Sequence, residues 1–412
     1  MPGRYSSSRT TLVRGLSRSG GGSRPRSAFR GTLVASQLSL AVVLVVMALL
    51  FTRTLRNLAA LDLGLDPTGV TAVMVQHPDI PVERRQLAEA QLLEAVRALP
   101  ETLGAATTRQ VPLSGESWNG RVVVDGVQRE RETQLARVSA GYFETLRIGL
   151  VSGRDFTAAD ALDRPRVAVV NESFVRDFLD RKNPLGATFQ LTAAPGTTAP
   201  FIEVVGVVKD AKNLGLRDPF KPMAFFPVTQ QARPPQYLNL LVRLANPAAV
   251  RTVAEVIGRL EPSAVLMTVP LDSQIADQTV RERLLAILST TFASAAAALA
   301  MLGLYAIVSF AVRQRVQEIG IRVALGARSA DVITAILRQG LSWSAVGVAA
   351  GLGIAAAVAP SARSLLFGLE PLDLPVFAGV AIAFTFVALA AAYVPARKAT
   401  SIDPIEALRA DQ

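Results

Sequence analysis

The chain has 412 residues, half of them apolar, with a mean hydropathy of +0.35 and only 18% charged residues; soluble globular domains carry about a quarter. It has no Cys and a single His, His77. That excludes a disulfide framework, a Cys-based metal site and a His cluster, and makes any Ser-His-Asp arrangement depend on His77 alone.

Residues 1–30 carry seven Arg and no acid, and residues 15–30 are rich in Gly, Ser and Arg, the composition of a flexible basic linker. Residues 31–52 then run without a charge for 22 positions, long enough to cross a bilayer at 1.5 Å per residue. The stretch exceeds the apolar core of a secretory signal and lacks a convincing small-x-small cleavage site before Arg53, so a retained anchor is expected.

Residues 53–283 follow, with 27 basic and 26 acidic residues, enough chain for a core of their own. Residues 70–76 read as a strand, 83–98 as an amphipathic helix and 103–111 as a returning strand. The same order recurs at 237–244, 247–260 and 265–269, so two strand–helix–strand units flank a middle section. That section, 115–230, holds Val-rich strand candidates at 121–127, 166–170 and 201–208 and a short helix at 171–179. Residues 272–283 have helical spacing and no breaker, which predicts one helix running from the outer domain into the next span. His77, before Pro78, reads as a loop or surface histidine.

Three further charge-free runs close the chain at 284–312, 339–362 and 374–396. The longest, 29 residues, exceeds the hydrocarbon core and is expected to project beyond it. Loop 313–338 has five Arg against Glu318 and Asp331, loop 363–373 is net −1, and Arg397 and Lys398 stand at the end of the last run. By the positive-inside rule, both termini and loop 313–338 are cytoplasmic, and 53–283 with 363–373 lie outside. The basic excess is thus an orientation signal, and no nucleic-acid partner is expected.

No Lys follows a Gly anywhere, so the chain has no Walker-type phosphate loop, and no G-x-S-x-G occurs. The spans hold no ionisable residue of the kind that marks a proton- or ion-coupled carrier. No catalytic, cofactor or metal site is expected. Within loop 313–338, Gly326 suits the left-handed end of one short helix and Ser329 the N-cap of the next, with Asp331 in its first turn. Such an elbow can present side chains to a soluble partner. In the third run Gly347-Val-Ala-Ala-Gly351 is a small-xxx-small stripe available for packing inside the bundle or against another subunit.

The segment Arg313-Gln-Arg-Val-Gln-Glu318-Ile-Gly320-Ile-Arg322-Val-Ala324-Leu-Gly326-Ala327-Arg328 resembles the signature after the second span of MacB/FtsX-type ABC transporter permeases. The tail from Pro395 to Arg409, with Asp403-Pro404-Ile-Glu406, resembles that family's C-terminal end. Ser139-Ala-Gly141-Tyr142-Phe143, Gly153-Arg154-Asp155-Phe156, Val167-Ala-Val-Val-Asn171-Glu172 and Val204-Val-Gly206-Val-Val-Lys-Asp210 are similar to the MacB-like periplasmic domain. Leu365-Leu366-Phe367-Gly368-Leu-Glu-Pro371-Leu-Asp373 resembles the acidobacterial duplicated orphan permeases, of which this chain looks like the second four-span module alone.

The resemblance implies an α-helical membrane protein of four transmembrane helices, with a large periplasmic α/β domain of two subdomains between spans 1 and 2. It implies a non-catalytic subunit in a bacterial inner membrane, with a separate cytoplasmic ABC ATPase and a second permease module as partners beside the membrane lipids. Glu318, Gly320, Arg322, Gly326 and Ala327 are the expected ATPase-coupling residues, and Gly347 and Gly351 the expected packing positions. The cargo stays open. A membrane-anchored sensor or scaffold without an ATPase, and an inactive remnant of a duplicated permease, are the other readings.

Overall fold

Lipid offers no partner to backbone N–H and C=O groups, so a spanning segment must satisfy them within itself, and each charge-free run does so as a helix. The computed structural model describes residues 24–77, 79–179, 183–192, 199–314 and 329–400. Four helices, α1 (Arg24–Ala59), α7 (Val280–Gln314), α8 (Ser329–Val358) and α9 (Leu374–Thr400), contain stretches long and apolar enough to cross a membrane. They belong to one unit, and residues 58–280 form another.

In the helical unit, Leu38, Val42, Val46 and Leu50 recur every four residues along one face of α1 and are buried. They pack with Ala286 and Ala300 of α7, Val348 and Ala355 of α8, and Val376, Val380 and Phe384 of α9. A second cluster joins Val34 to Leu304, Val308 and Val312 of α7 and to Ala388 and Ala392 of α9. The outward faces stay apolar, with Leu288, Phe292, Leu299 and Leu302 on α7 and Ile382 and Phe386 on α9 exposed. Lipid tails, not water, suit such a surface.

The other unit contains two cores. In the first, β1 (Val70–Gln76), α2 (Val82–Arg97), β2 (Thr102–Thr108), β10 (Tyr237–Leu244), α5 (Val250–Leu260) and β11 (Val265–Pro270) are the two expected strand–helix–strand units. Their strands lie in the order β11-β1-β10-β2, every neighbour antiparallel, which is the split βαβ arrangement. Leu92, Leu93 and Val96 of α2 and Val253 and Ile257 of α5 cover Val73, Val75, Leu240 and Val242.

The second core is the inserted section. It comprises β3 (Trp118–Val124), β4 (Val127–Val138), β6 (Arg166–Asn171), β7 (Thr188–Leu191), β8 (Ile202–Val208) and β9 (Met223–Pro227). Pairing runs β4-β3-β7-β8-β6-β9 and closes where β9 pairs parallel with β4, Gln134 opposite Met223 through Val138 opposite Pro227. The ring is a six-stranded barrel, and closure removes its exposed edges. Phe174 and Phe178, from α4 (Glu172–Phe174) and the wide turn Val175–Leu179 that continues it, fill the interior with Phe189, Val204 and Phe226. Two short elements, α3 (Tyr142–Thr145) and β5 (Leu150–Gly153), follow β4, and β5 pairs with β8.

Three expectations change. The strand expected at 121–127 ends at Val124, because Asp125 and Gly126 take φ of 52° and 76° and form a tight hairpin turn into β4. The Asp-Gly pair was a readable signal, but the Gln, Arg and Glu residues of β4 hid the long return strand. The helix expected over 272–283 is broken: α6 (Leu271–Gln278) ends at Thr279, with φ −105° and ψ 3°, and α7 starts at Val280. The Thr279 hydroxyl donates to the carbonyls of Ile275 and Ala276, capturing backbone acceptors at the helix end. His77, read as a loop or surface residue, is buried, 4% exposed.

Candidate functional site

Glu318, Gly320, Arg322, Gly326 and Ala327 lie outside the described residues, as do residues 401–412 of the C-terminal motif. The helices on either side of that segment are α7, described to Gln314, and α8, described from Ser329. No Gly or Pro interrupts residues 329–339, and α8 runs unbroken to Val358. The separate short helix suggested for 329–338 is therefore the first part of the third span's own helix.

Gly347 and Gly351 lie where α8 meets α1. A Cβ on Gly347 would stand 2.9 Å from the Ala35 carbonyl oxygen and 3.0 Å from Leu38 Cβ; one on Gly351 would stand 2.7 Å from Val42 Cβ and 2.8 Å from the Ser39 oxygen. Only hydrogen fits, so the two backbones approach as small-xxx-small stripes allow. The stripe is taken up inside the chain.

The segment between the third and fourth spans is latched to α1. Arg53 Nη1 lies 2.8 Å from Asp373 Oδ1, Asn57 Nδ2 donates to the carbonyls of Phe367 at 3.2 Å and Gly368 at 3.3 Å, and the Phe367 N–H donates to Thr54 Oγ1 at 3.4 Å. Gly368 takes φ +64°, the left-handed region that favours glycine. Arg53, Thr54 and Asn57 escaped the sequence reading because their partners are more than 300 residues away.

In the extramembrane unit the short motifs of the sequence are joints. Asp155 accepts from the N–H of Gly141 at 3.0 Å and of Phe156 at 2.6 Å, tying the segment after β5 to the start of α3. Phe143 packs edge-on against Phe225 at 5.0 Å and beside Phe156 at 6.4 Å. Arg154 grips Asp160 through two nitrogens, each at 2.8 Å, and this pairing holds the Asp160 carboxyl below the ordinary carboxylate range. Burial instead pushes Asp155 up, against the two backbone N–H groups that favour its charged form. Asn171 caps α4, accepting from Phe174 N at 2.9 Å, while also accepting from Met223 N and donating to the Lys221 carbonyl. Asp210 accepts from the Ser173 N–H and hydroxyl at 2.9 and 2.6 Å. Asp155, Asp160 and Asp210 each accept from at least one backbone N–H and so fix the chain around them.

Among the described residues, a deeply buried ion pair joins α2 to the residue that follows β2. Glu89 of α2 takes the Arg109 guanidinium on both oxygens, at 3.2 and 2.6 Å, and accepts from the Thr107 hydroxyl; both charged side chains are 7% exposed. No local pattern pointed to it, and Glu89 occupies a buried position on the apolar face of α2. Among the described residues neither ring nitrogen of His77 has a partner, and burial is the main cause that lowers its pKa from the ordinary value. Among the described residues no three His, Asp or Glu side chains are grouped to hold a metal ion.

The family profile described as MacB-like periplasmic core domain matches residues 33–260, and that described as FtsX-like permease C-terminal matches residues 290–404. The uncharacterized ABC transporter permease YknZ of Bacillus subtilis is 24% identical over 295 residues, covering 68% of this chain and 71% of that protein. The macrolide export ATP-binding/permease protein MacB of Agrobacterium fabrum is 27% identical over 290 residues, covering 66% of this chain and 43% of its own length. The chain thus spans about seven-tenths of the first relative and less than half of the second. The crystal structure of the periplasmic region of MacB from Actinobacillus actinomycetemcomitans covers 53% of this chain and 94% of its own at 17% identity, with a TM-score of 0.36, too low to carry weight by itself. The first match takes in most of span 1 and the domain that follows it, the second most of the last three spans, and this chain belongs to the MacB/FtsX-type ABC transporter permeases.

Proposed function

We propose that the chain is the membrane subunit of an ABC-type export or extraction system and works by transmitting force. A separate cytoplasmic ATPase hydrolyses ATP, and the spans pass the resulting motion to the periplasmic domain. The observation that carries this reading is the presence, in one chain, of a MacB-like periplasmic core domain and an FtsX-like permease C-terminal region. No Gly-Lys pair occurs in these 412 residues, so the hydrolysis itself is assigned outside them. In this reading both termini face the cytoplasm of a bacterial inner membrane, and a second permease module completes the assembly. The segment 313–338 docks the ATPase, with Glu318, Gly320, Arg322, Gly326 and Ala327 as the contact or shape-setting positions.

The test is ATPase activity co-purified with the chain, and export, for wild type, Glu318→Ala and Gly326→Val. A β-branched residue at a left-handed helix end costs on the order of 1 kcal/mol or more. Gly326→Val should therefore uncouple transport while the protein stays in the membrane. If both variants match wild type in export and in ATPase retention, the coupling role of this loop is wrong.

A further inference from the structure

The barrel has an open end. Trp118 and Ile202 are the first residues of β3 and β8, Arg166 is the first of β6, Leu191 is the last of β7, and Arg137 and Phe226 are the second-last of β4 and β9. The register brings these termini to the same end: Trp118 pairs opposite Leu135, Arg137 opposite Phe226, and Arg166 opposite Ile202. A cavity of about 300 Å³ lies there, lined by Arg137, Arg166, Leu191, Pro200, Ile202 and Phe226 among others. That volume is at the small end of ligand pockets, and barrel mouths are among the places where such pockets occur.

Its chemistry is one-sided. Two arginines reach the cavity, and among the described residues no carboxylate lines it. The Arg137 guanidinium is 5.5 Å from the centroid of the Trp118 ring and 5.8 Å from that of Phe226. The aromatic faces hold it in place by cation–π attraction without neutralising it. Arg166 donates through Nη1 to the Gln230 carbonyl at 2.6 Å, and Gln230 is itself anchored, donating to the Pro165 carbonyl at 2.8 Å and accepting from the Val167 N–H. Among the described residues, neither guanidinium has a carboxylate partner, whereas nearby Arg109 has Glu89. Burial, with repulsion from Arg109 and Arg166, lowers the pKa of Arg137, so an arriving anion would relieve an unfavourable charge distribution. The remaining walls, Leu191, Ala199, Pro200, Ile202, Phe226 and Ala232, are apolar.

We propose that this barrel mouth is a binding site for a small amphipathic carboxylate. The two guanidinium groups take the head, since their planar forks match a carboxylate, and the apolar wall takes the tail. The site goes beyond the force-transmitting role and does not depend on the ATPase.

The experiment is calorimetric titration of the full chain in lipid nanodiscs, with empty nanodiscs as the blank. The probes are hexanoate, hexan-1-ol, hexylammonium and acetate, so that head and tail vary separately. Hexanoate should bind saturably and at least tenfold more tightly than each of the others. Arg137→Gln should weaken hexanoate at least tenfold. Ala232→Phe places a ring at the exposed rim of the cavity, leaves both arginines in place, and should do the same with an unchanged thermal midpoint. The proposal fails if hexanoate gives no heat above the blank, if the four probes bind alike, or if a folded Ala232→Phe protein binds hexanoate as wild type does. Should Arg137→Gln not fold, Ala232→Phe and the four-probe series still decide.

Discussion

Replacing Glu89 by Ala leaves the Arg109 guanidinium inside the protein without its charge partner. The substitution removes two charge-assisted bonds, at 3.2 and 2.6 Å, and the acceptor of the Thr107 hydroxyl. Arg109 keeps only its Nε contact to Gln231 at 2.9 Å. Breaking one side of a buried pair costs about 3–5 kcal/mol, because the desolvated charge that remains has nothing to offset it. For a domain of this size that is a fall in melting temperature of roughly 6–20 °C. The pair itself is a weak net stabiliser, so Glu89→Leu combined with Arg109→Met should recover most of the loss. The measurement is urea unfolding of the full chain, followed by Trp118 emission in a Trp343→Phe background, which leaves a single tryptophan. The reasoning is refuted if Glu89→Ala lies within about 1 kcal/mol of wild type, or if the double substitution is less stable than the single one.

Gly351→Leu should destabilise the helical unit by about 1–3 kcal/mol through overpacking against Val42 and Ser39. Gly353→Leu, where a Cβ meets nothing within 4 Å, should leave the thermal midpoint in detergent unchanged. His77 has a folded pKa below its unfolded value, so the unfolded chain takes up the proton first. Stability of the extramembrane unit should therefore drop as pH falls below about 6.5, and His77→Phe should remove that drop in urea unfolding measured from pH 7.5 to 5.5. Asp160 is depressed, so its stabilisation is present above the unfolded carboxylate value of about 3.9 and is lost as pH falls through the lower folded value. Asp160→Asn should lower stability at pH 7 and flatten the acid limb of the unfolding curve. Alkaline phosphatase fused at Gly215 should be active and at Arg328 inactive; the reverse pattern overturns the orientation read from the Arg distribution.

The spans were legible in the sequence because a bilayer imposes a local rule: about 20 residues without charge, read from the run itself. The two strand–helix–strand units were legible for a similar reason, since burying one face of a strand or helix leaves a period of 2 or 3.6 in the residues. Tertiary structure alone decided what depends on pairs distant along the chain. The parallel pairing of β4 with β9 closes the barrel, yet β4 is written in Gln, Arg and Glu and has no apolar alternation to announce it. Glu89 finds Arg109, and Gly347 and Gly351 face α1 rather than a second subunit, through contacts that no local pattern encodes. The barrel-mouth arginines come from β4 and β6 and meet only because the register brings six strand ends to one place. Solvation acts on each residue where it stands and so leaves a mark in the sequence. Register, closure and charge pairing act between residues, and their energies exist only once the chain has brought them together.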